Sequence, residues 1–356
     1  MSLIRKLFRL SLYISYLIVT VFMVLEIIFR ILPTSSPLPL RPVINESEIL
    51  TFYPNQETTI SLGSTFYKVV KKTTNNYGFY SNFDYYPNSE PDIVIIGDSY
   101  VEAAQIRNSD SIGEKLLEKN PKLNVYQIGI SGFSLSQYIK VIRYAKQEFS
   151  PRHYVVIVVG NDFDESICNE SKKEGIWCFN SEYQLSFVPF KGYSSIRMIA
   201  RNSAFLRYIV FNLGIDLRDV VSILFPNNQD RKRVSEFAGN TQREKTEEIR
   251  QASYTVINRF FEELVKMDLN ERVTLIIDAD RQDIYNNRST ESYFSDMRTF
   301  MIEAAIINGV SYIDMNPVFK DAFLKKTEKF EFPTDGHWNE RAHDLAAQEL
   351  LKQLSK

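Results

Sequence analysis

Residues Pro91 to Tyr100 read Pro-Asp-Ile-Val-Ile-Ile-Gly-Asp-Ser-Tyr. Asp92 to Ile96 is a short run rich in β-branched apolar residues, set between a proline and a glycine. That is the pattern of a strand buried on both faces of a parallel sheet. The run stops at Gly97-Asp98-Ser99. Open α/β sheets place their ligands where the strands end at the carboxyl edge, so Ser99 stands at a functional edge. A serine hydroxyl alone is a poor nucleophile. A hydrolytic role requires a base, an acid to orient it and donors for an oxyanion elsewhere in the chain.

Three further segments offer these groups. Asn124 to Gly132 reads Asn-Val-Tyr-Gln-Ile-Gly-Ile-Ser-Gly, a second strand ending in glycines; Tyr154 to Asp162 reads Tyr-Val-Val-Ile-Val-Val-Gly-Asn-Asp, a third ending in an amide side chain; Pro333 to Asn339 reads Pro-Thr-Asp-Gly-His-Trp-Asn. In this order the four segments resemble the four blocks of the SGNH (GDSL-like) hydrolase family, in its membrane-anchored bacterial form. The resemblance implies an α/β fold, a three-layer α/β/α sandwich around a central parallel sheet of flavodoxin-like type. It also implies Ser99 as nucleophile, His337 as general base and Asp335 as the carboxylate that fixes the imidazole. Ser99 N–H, Gly132 N–H and the Asn161 side-chain amide match the oxyanion donors. Two departures stand out. The dyad has the spacing Asp335-Gly336-His337 where Asp-x-x-His is commoner, a form that resembles bacterial polysaccharide O-acetyltransferases. The glycine usually found shortly after the serine is missing from Tyr100-Val101-Glu102-Ala103-Ala104.

Histidine scarcity narrows the choice of base, because only His153, His337 and His343 occur. His153 precedes the third strand and so falls at the opposite edge of the sheet. His343 lies within the apolar pattern of a terminal helix and reads as a packing residue. His337 is the remaining base.

The N-terminus predicts a membrane anchor. Residues 1–9 carry Arg5, Lys6 and Arg9 with no acid, and an apolar stretch runs from Leu10 to Leu32. Roughly 16 to 23 residues at about 1.5 Å each approach the ~30 Å of a hydrocarbon core. A cleavable signal would be shorter and would end in a small-x-small site. The flanking cations keep the tail cytoplasmic and put the rest outside, periplasmic or extracellular. Cys168 and Cys178, the only cysteines, then fall in an oxidising compartment, where such a pair commonly closes a disulfide; their spacing suits no zinc site.

Residues 33–90 read as a juxtamembrane linker, proline-rich at first, with a small hairpin around Glu57 to Leu62 and Ser64 to Lys72. The aromatics of Asn75-Asn76-Tyr77-Gly78-Phe79, with Tyr85 and Tyr86, are expected to pack over the sheet. Residues 91–356 form the catalytic domain. Helices are expected over Ser109 to Lys119, from a capping box at Ser134-Leu135-Ser136-Gln137 to about Phe149, over Thr241 to Met267, Glu291 to Asn308 and Glu340 to Leu354. Strands are expected at Val273 to Asp278 and Ser311 to Asp314. Alternation fails over residues 164–239, which reads as an inserted cap over Ser99. Arg231 to Arg233 within it reads as a solvated face. Asp278 and Asp280 end the fourth strand and read as loop carboxylates; no metal or other cofactor is implied.

Net charge is −2, which gives no electrostatic case for nucleic acid. The leading expectation is a membrane-anchored serine esterase acting on O-acyl, chiefly O-acetyl, esters of envelope carbohydrate. An O-acyltransferase for cell-surface polysaccharide with the same triad is the first alternative. A non-catalytic carbohydrate-binding or assembly protein is the second.

Overall fold

In the computed structural model, which describes residues 3–171, 173–215, 237–238, 240–288 and 291–355, the opening run is a strand, β1 (Ile93–Gly97), buried at every residue. Four more strands join it: β2 (Val125–Gly129), β3 (His153–Val158), β4 (Val273–Ile277) and β5 (Ser311–Asp314). The order is β2-β1-β3-β4-β5 and every neighbouring pair is parallel. This is the flavodoxin-like order, whose direction of progression reverses between β1 and β3. Ser99 follows β1 and Asn161 follows β3, so the reversal point lies between two of the residues singled out from sequence.

Helices cover both faces. Ile93, Ile95, Val155, Ile157 and Ile276 pack with Ile112 and Leu116 of the helix Ile112–Lys119 and with Ala346 and Leu350 of Glu340–Leu354. The other layer holds Leu135–Glu148, Glu247–Lys266 and Tyr293–Ile307. A sheet buried on both sides explains why its strands read as continuous apolar runs.

Several local expectations change. Ser134 caps no backbone N–H; its hydroxyl lies 3.2 Å from Ser136 Oγ, while Gln137 Oε1 accepts from Trp177 N at 2.7 Å. Neither member of the expected capping box caps the helix: Ser134 meets its neighbour Ser136, and Gln137 is taken up by a tertiary partner. Two helices not expected from sequence are present, Arg281–Asn286 and Met315–Lys325, started by Asp280 and Asp314 side chains. Pro317 sits in the first turn of the second, where its missing N–H costs no helical hydrogen bond. Of the aromatics ahead of β1, Phe79 and Tyr85 are buried, and Tyr85 stacks on Tyr126 of β2 with centroids 4.0 Å apart, whereas Tyr86 is exposed and does not pack.

The chain divides into two compact units. The larger holds the sheet and covers Leu38–Glu57, Lys72–Gly192 and Lys232–Lys356. Cys168 and Cys178 are joined in it, and the hairpin Ile176–Phe179 with Leu185–Val188 follows. The smaller covers Met1–Pro37, Thr58–Lys71 and Tyr193–Arg231. It contains the helix Leu3–Ile31, of which Ile4–Ile31 is long and apolar enough to cross a membrane, and the helices Ser195–Asn202 and Ala204–Arg207. The segment read from sequence as one insertion is thus shared between the units. The Arg231 to Arg233 cluster lies outside the described residues.

Candidate active site

Strand β1 delivers Ser99 into a short helix, Ser99–Glu102, capped by Asp98, whose Oδ1 accepts from Tyr100 N at 2.9 Å. Ser99 Oγ donates to Asp98 Oδ2 at 3.1 Å. Among the described residues, no hydrogen bond joins Ser99 Oγ to His337. The short helix lies against the end of β2 because Gly129 has no side chain: a Cβ there would meet Glu102 N at 2.6 Å. Glu102 then turns its carboxylate onto Ser131 N at 2.5 Å, tying the Ser99 helix to the turn that carries Gly132. Gly132 has φ +93°, a left-handed conformation natural to glycine. Burial raises the Glu102 carboxyl, an effect opposed by the Ser131 bonds and by the charge on Lys72.

Lys72 was not singled out from sequence. Its Nζ donates to Ala103 O at 2.6 Å and lies 4.7 Å from the centroid of the Tyr80 ring. A cation at the last carbonyls of the Ser99 helix is favoured there, although burial lowers its pKa to about 7 against the pull of Glu102 and Asp110.

Asp335 and His337 lie on a short strand, Asp335–Trp338, paired antiparallel with Glu331–Phe332. His337 Nδ1 is 2.5 Å from Asp335 Oδ1, which also accepts from His337 N at 2.9 Å. Gln105 Nε2 donates to Asp335 Oδ2 at 3.0 Å. Burial disfavours the charged ring of His337, but the bond to Asp335 and the charges of Asp335, Asp98 and Glu102 outweigh it, so its pKa is raised. For Asp335 burial acts upward and the His337 and Gln105 bonds act downward; the net is a lowered value.

A second set of bonds fixes the dyad's backbone. Tyr100 OH donates to Gly336 O at 3.1 Å and accepts from Arg281 Nη2 at 2.7 Å. Arg281 is buried and also reaches Glu331 Oε2 at 3.0 Å and Asp278 Oδ2 at 3.3 Å. Asp278 Oδ1 accepts from Trp338 Nε1 at 2.8 Å. Asp278 therefore anchors the residue after His337. No cluster suited to holding a metal ion occurs among the described residues.

Asn161 follows β3 in a turn shaped by Asp162, which accepts from Val159 N at 2.8 Å and from Tyr138 OH at 2.9 Å. Asn161 Oδ1 accepts from Asn240 Nδ2 at 2.7 Å, which leaves the Asn161 amide N–H groups to point elsewhere. Lys173 lies over Gly132, with Nζ 2.6 Å from where a Cβ would stand, and is ion-paired with Glu165. The two other histidines keep their sequence roles: His153 begins β3, bonded to Thr274 Oγ1 at 2.9 Å, and His343 is buried in the last helix, its pKa lowered by burial to about 3.

The structure thus joins the Ser99–Gln105 segment to the Asp335–His337 pair through Tyr100 and Gln105, and to the Gly132 turn through Glu102. No family model matches the sequence, and no curated protein does. Solved structures do. A lipolytic protein of the G-D-S-L family from Veillonella parvula is 12% identical, covering 74% of this chain and 98% of its own, with a TM-score of 0.39. An acetyl xylan esterase is 13% identical, covering 74% of this chain and 99% of its own, with a TM-score of 0.38. A lipase/acylhydrolase from Enterococcus faecalis is 10% identical, covering 74% and 94%, with a TM-score of 0.36. Likeness at this level assigns no residue and no substrate; those rest on the side chains of this chain.

Proposed function

We propose that this chain is a membrane-anchored serine esterase of SGNH type that hydrolyses O-acyl esters, chiefly O-acetyl groups on envelope carbohydrate. One observation carries the reading: a half-buried Asp335–His337 pair, with the imidazole's pKa raised, is fastened through Tyr100 and Gln105 to the segment that begins with Ser99. With Nδ1 turned to Asp335, Nε2 is the nitrogen free to take a proton. The Ser99 hydroxyl rotates from Asp98 to His337, gives up its proton and attacks the ester carbonyl. The oxyanion is held by Ser99 N–H, Gly132 N–H and Asn161 Nδ2, and Asp335 stabilises the imidazolium. His337 then protonates the departing alkoxide, and water, activated by the same base, releases the acyl group. In this reading Ile4–Ile31 spans the membrane, with its basic N-terminal residues in the cytoplasm and the larger unit outside.

The test is covalent labelling of the detergent-solubilised full chain with a fluorophosphonate, the modified peptide being identified by mass spectrometry. Label on Ser99 that disappears in His337→Ala is the expected result. A folded sample that takes up no label refutes an activated serine. Product analysis with an added glycan then decides whether water or a sugar hydroxyl receives the acyl group.

A further inference from the structure

The smaller unit is built around a carboxylate in an apolar helix. Glu26 lies one helical turn before Arg30, and its Oε1 accepts from Arg30 Nε at 2.8 Å and Ala204 N at 3.0 Å. Its Oε2 accepts from Ser203 Oγ at 2.7 Å and Phe205 N at 3.1 Å. Four donors on one carboxylate is the satisfaction expected of a charge kept from water. The same segment packs on the helix by aromatic contacts. Phe205 meets Phe22 edge-on at 5.8 Å and stacks with Phe29 at 5.7 Å, and Tyr208 stacks on Phe29 at 4.2 Å.

Phe22 and Phe29 are seven residues apart, about 10 Å along the helix axis. If the span ends near Leu32, Phe205 lies below the outer membrane surface, within a hydrocarbon core of roughly 30 Å. The chain around it is apolar apart from Arg207, Tyr208 and Asn212: Ala204 to Ile215 reads Ala-Phe-Leu-Arg-Tyr-Ile-Val-Phe-Asn-Leu-Gly-Ile. Its one amide, Asn212, is buried, donating to Ser61 Oγ at 2.7 Å and accepting from Ser35 N at 3.2 Å. Its outward residues are large and apolar: Phe211 is 40% exposed, Leu213 40% and Ile215 36%.

We infer that Phe205–Ile215 is a second membrane-embedded element, a lipid-facing pad seated in the outer half of the bilayer beside the spanning helix. The inference rests on the membrane-span reading. Its partner is the phospholipid bilayer: acyl chains against Phe211, Leu213 and Ile215, with headgroups within reach of the exposed Arg30 and Arg197. Continuity with the span selects this partner, because the contacts at Phe22 and Phe29 leave the pad no position away from the lipid that surrounds those residues. The pad also explains the four donors on Glu26, which satisfy a carboxylate that would otherwise face acyl chains.

The experiment places single tryptophans in the full chain, reconstituted in phosphatidylcholine–phosphatidylglycerol vesicles, with quenching by phospholipids brominated on the acyl chain. Emission of the wild type, which has Trp177 and Trp338, is subtracted. Tyr16→Trp reports the span, Phe211→Trp and Leu213→Trp report the pad, and Tyr183→Trp in the larger unit is the unquenched reference. The expected result is a loss of added emission at Phe211→Trp and Leu213→Trp comparable to that at Tyr16→Trp, with a shift to shorter wavelength. Quenching at Tyr16→Trp without quenching at the two pad positions overturns the pad and leaves the anchor standing. No quenching at any of the three overturns both.

Discussion

Replacing Tyr100 by Phe removes one oxygen atom from the middle of the site's support. The ring stays, with its edge-on contact to Trp338 at 5.5 Å and its tilted contact to His337 at 5.2 Å. What goes is the bond from the Arg281 guanidinium and the bond to Gly336 O. A hydrogen bond to a charged group contributes about 1.5–3 kcal/mol and a neutral one about 0.5–1.5, so Tyr100→Phe is expected to lose roughly 2–4 kcal/mol of stability. The upper part of that range applies because Tyr100 and Arg281 are both buried, and Arg281 Nε already has no partner. Gly336 is the peptide between acid and base, so its release loosens the dyad and lowers kcat on the order of ten- to a hundredfold. Urea unfolding of the detergent-solubilised full chain, followed by tryptophan emission, measures the first effect. Hydrolysis of an aryl acetate measures the second. A variant with unchanged midpoint and unchanged kcat refutes the reasoning; lost stability with full kcat would make the network structural only.

Three further outcomes are expected. Asp98→Asn keeps a capping oxygen for Tyr100 N but removes a charge that raises the pKa of His337. The base works when neutral, so the acid limb of kcat/KM moves to lower pH; an unmoved limb would show that Asp98 carries no charge there. Gln105→Leu takes the donor from Asp335 Oδ2, and kcat should fall about tenfold, the cost of one such bond, with KM little changed; full activity would leave Gln105 without a positioning role. Breaking the bridge with Cys168→Ser should lower stability by about 2–3 kcal/mol, the scale for a loop of this size. An unchanged thermal midpoint would count against that, and mass analysis of unreduced protein should show Cys168 joined to Cys178.

Features carried by consecutive residues were legible in the sequence. The Ile93–Gly97 run announced a strand buried on two faces, and the paired glycines after β2 and the Asn161-Asp162 turn after β3 marked the same edge. What escaped were bonds between residues far apart in the chain, which leave no period. Gln105 reaches Asp335 across 230 positions and Arg281 reaches Tyr100 across 181. Lys72 marked only the end of an expected hairpin, yet it is buried at the end of the Ser99 helix. Asp278 could be seen at the end of β4, but its bond to Trp338 could not. Ser134 and Gln137 show the opposite error, a local motif undone by a tertiary contact at Gln137 and by the neighbouring Ser136 at Ser134.

The contact of Asn240 with Asn161 bears on how this chain could be taken apart. An insertion between β3 and β4 looks like a detachable module, which an engineer would trim or graft between scaffolds. Here Asn240, just past its far end, holds the oxygen of the Asn161 amide, and Lys173 near its start lies over Gly132. Both margins of the segment are wired to the sheet edge. A clean excision would have to begin after Lys173 and end before Asn240, and a graft that carried only the middle would leave the parent's oxyanion hole as it was.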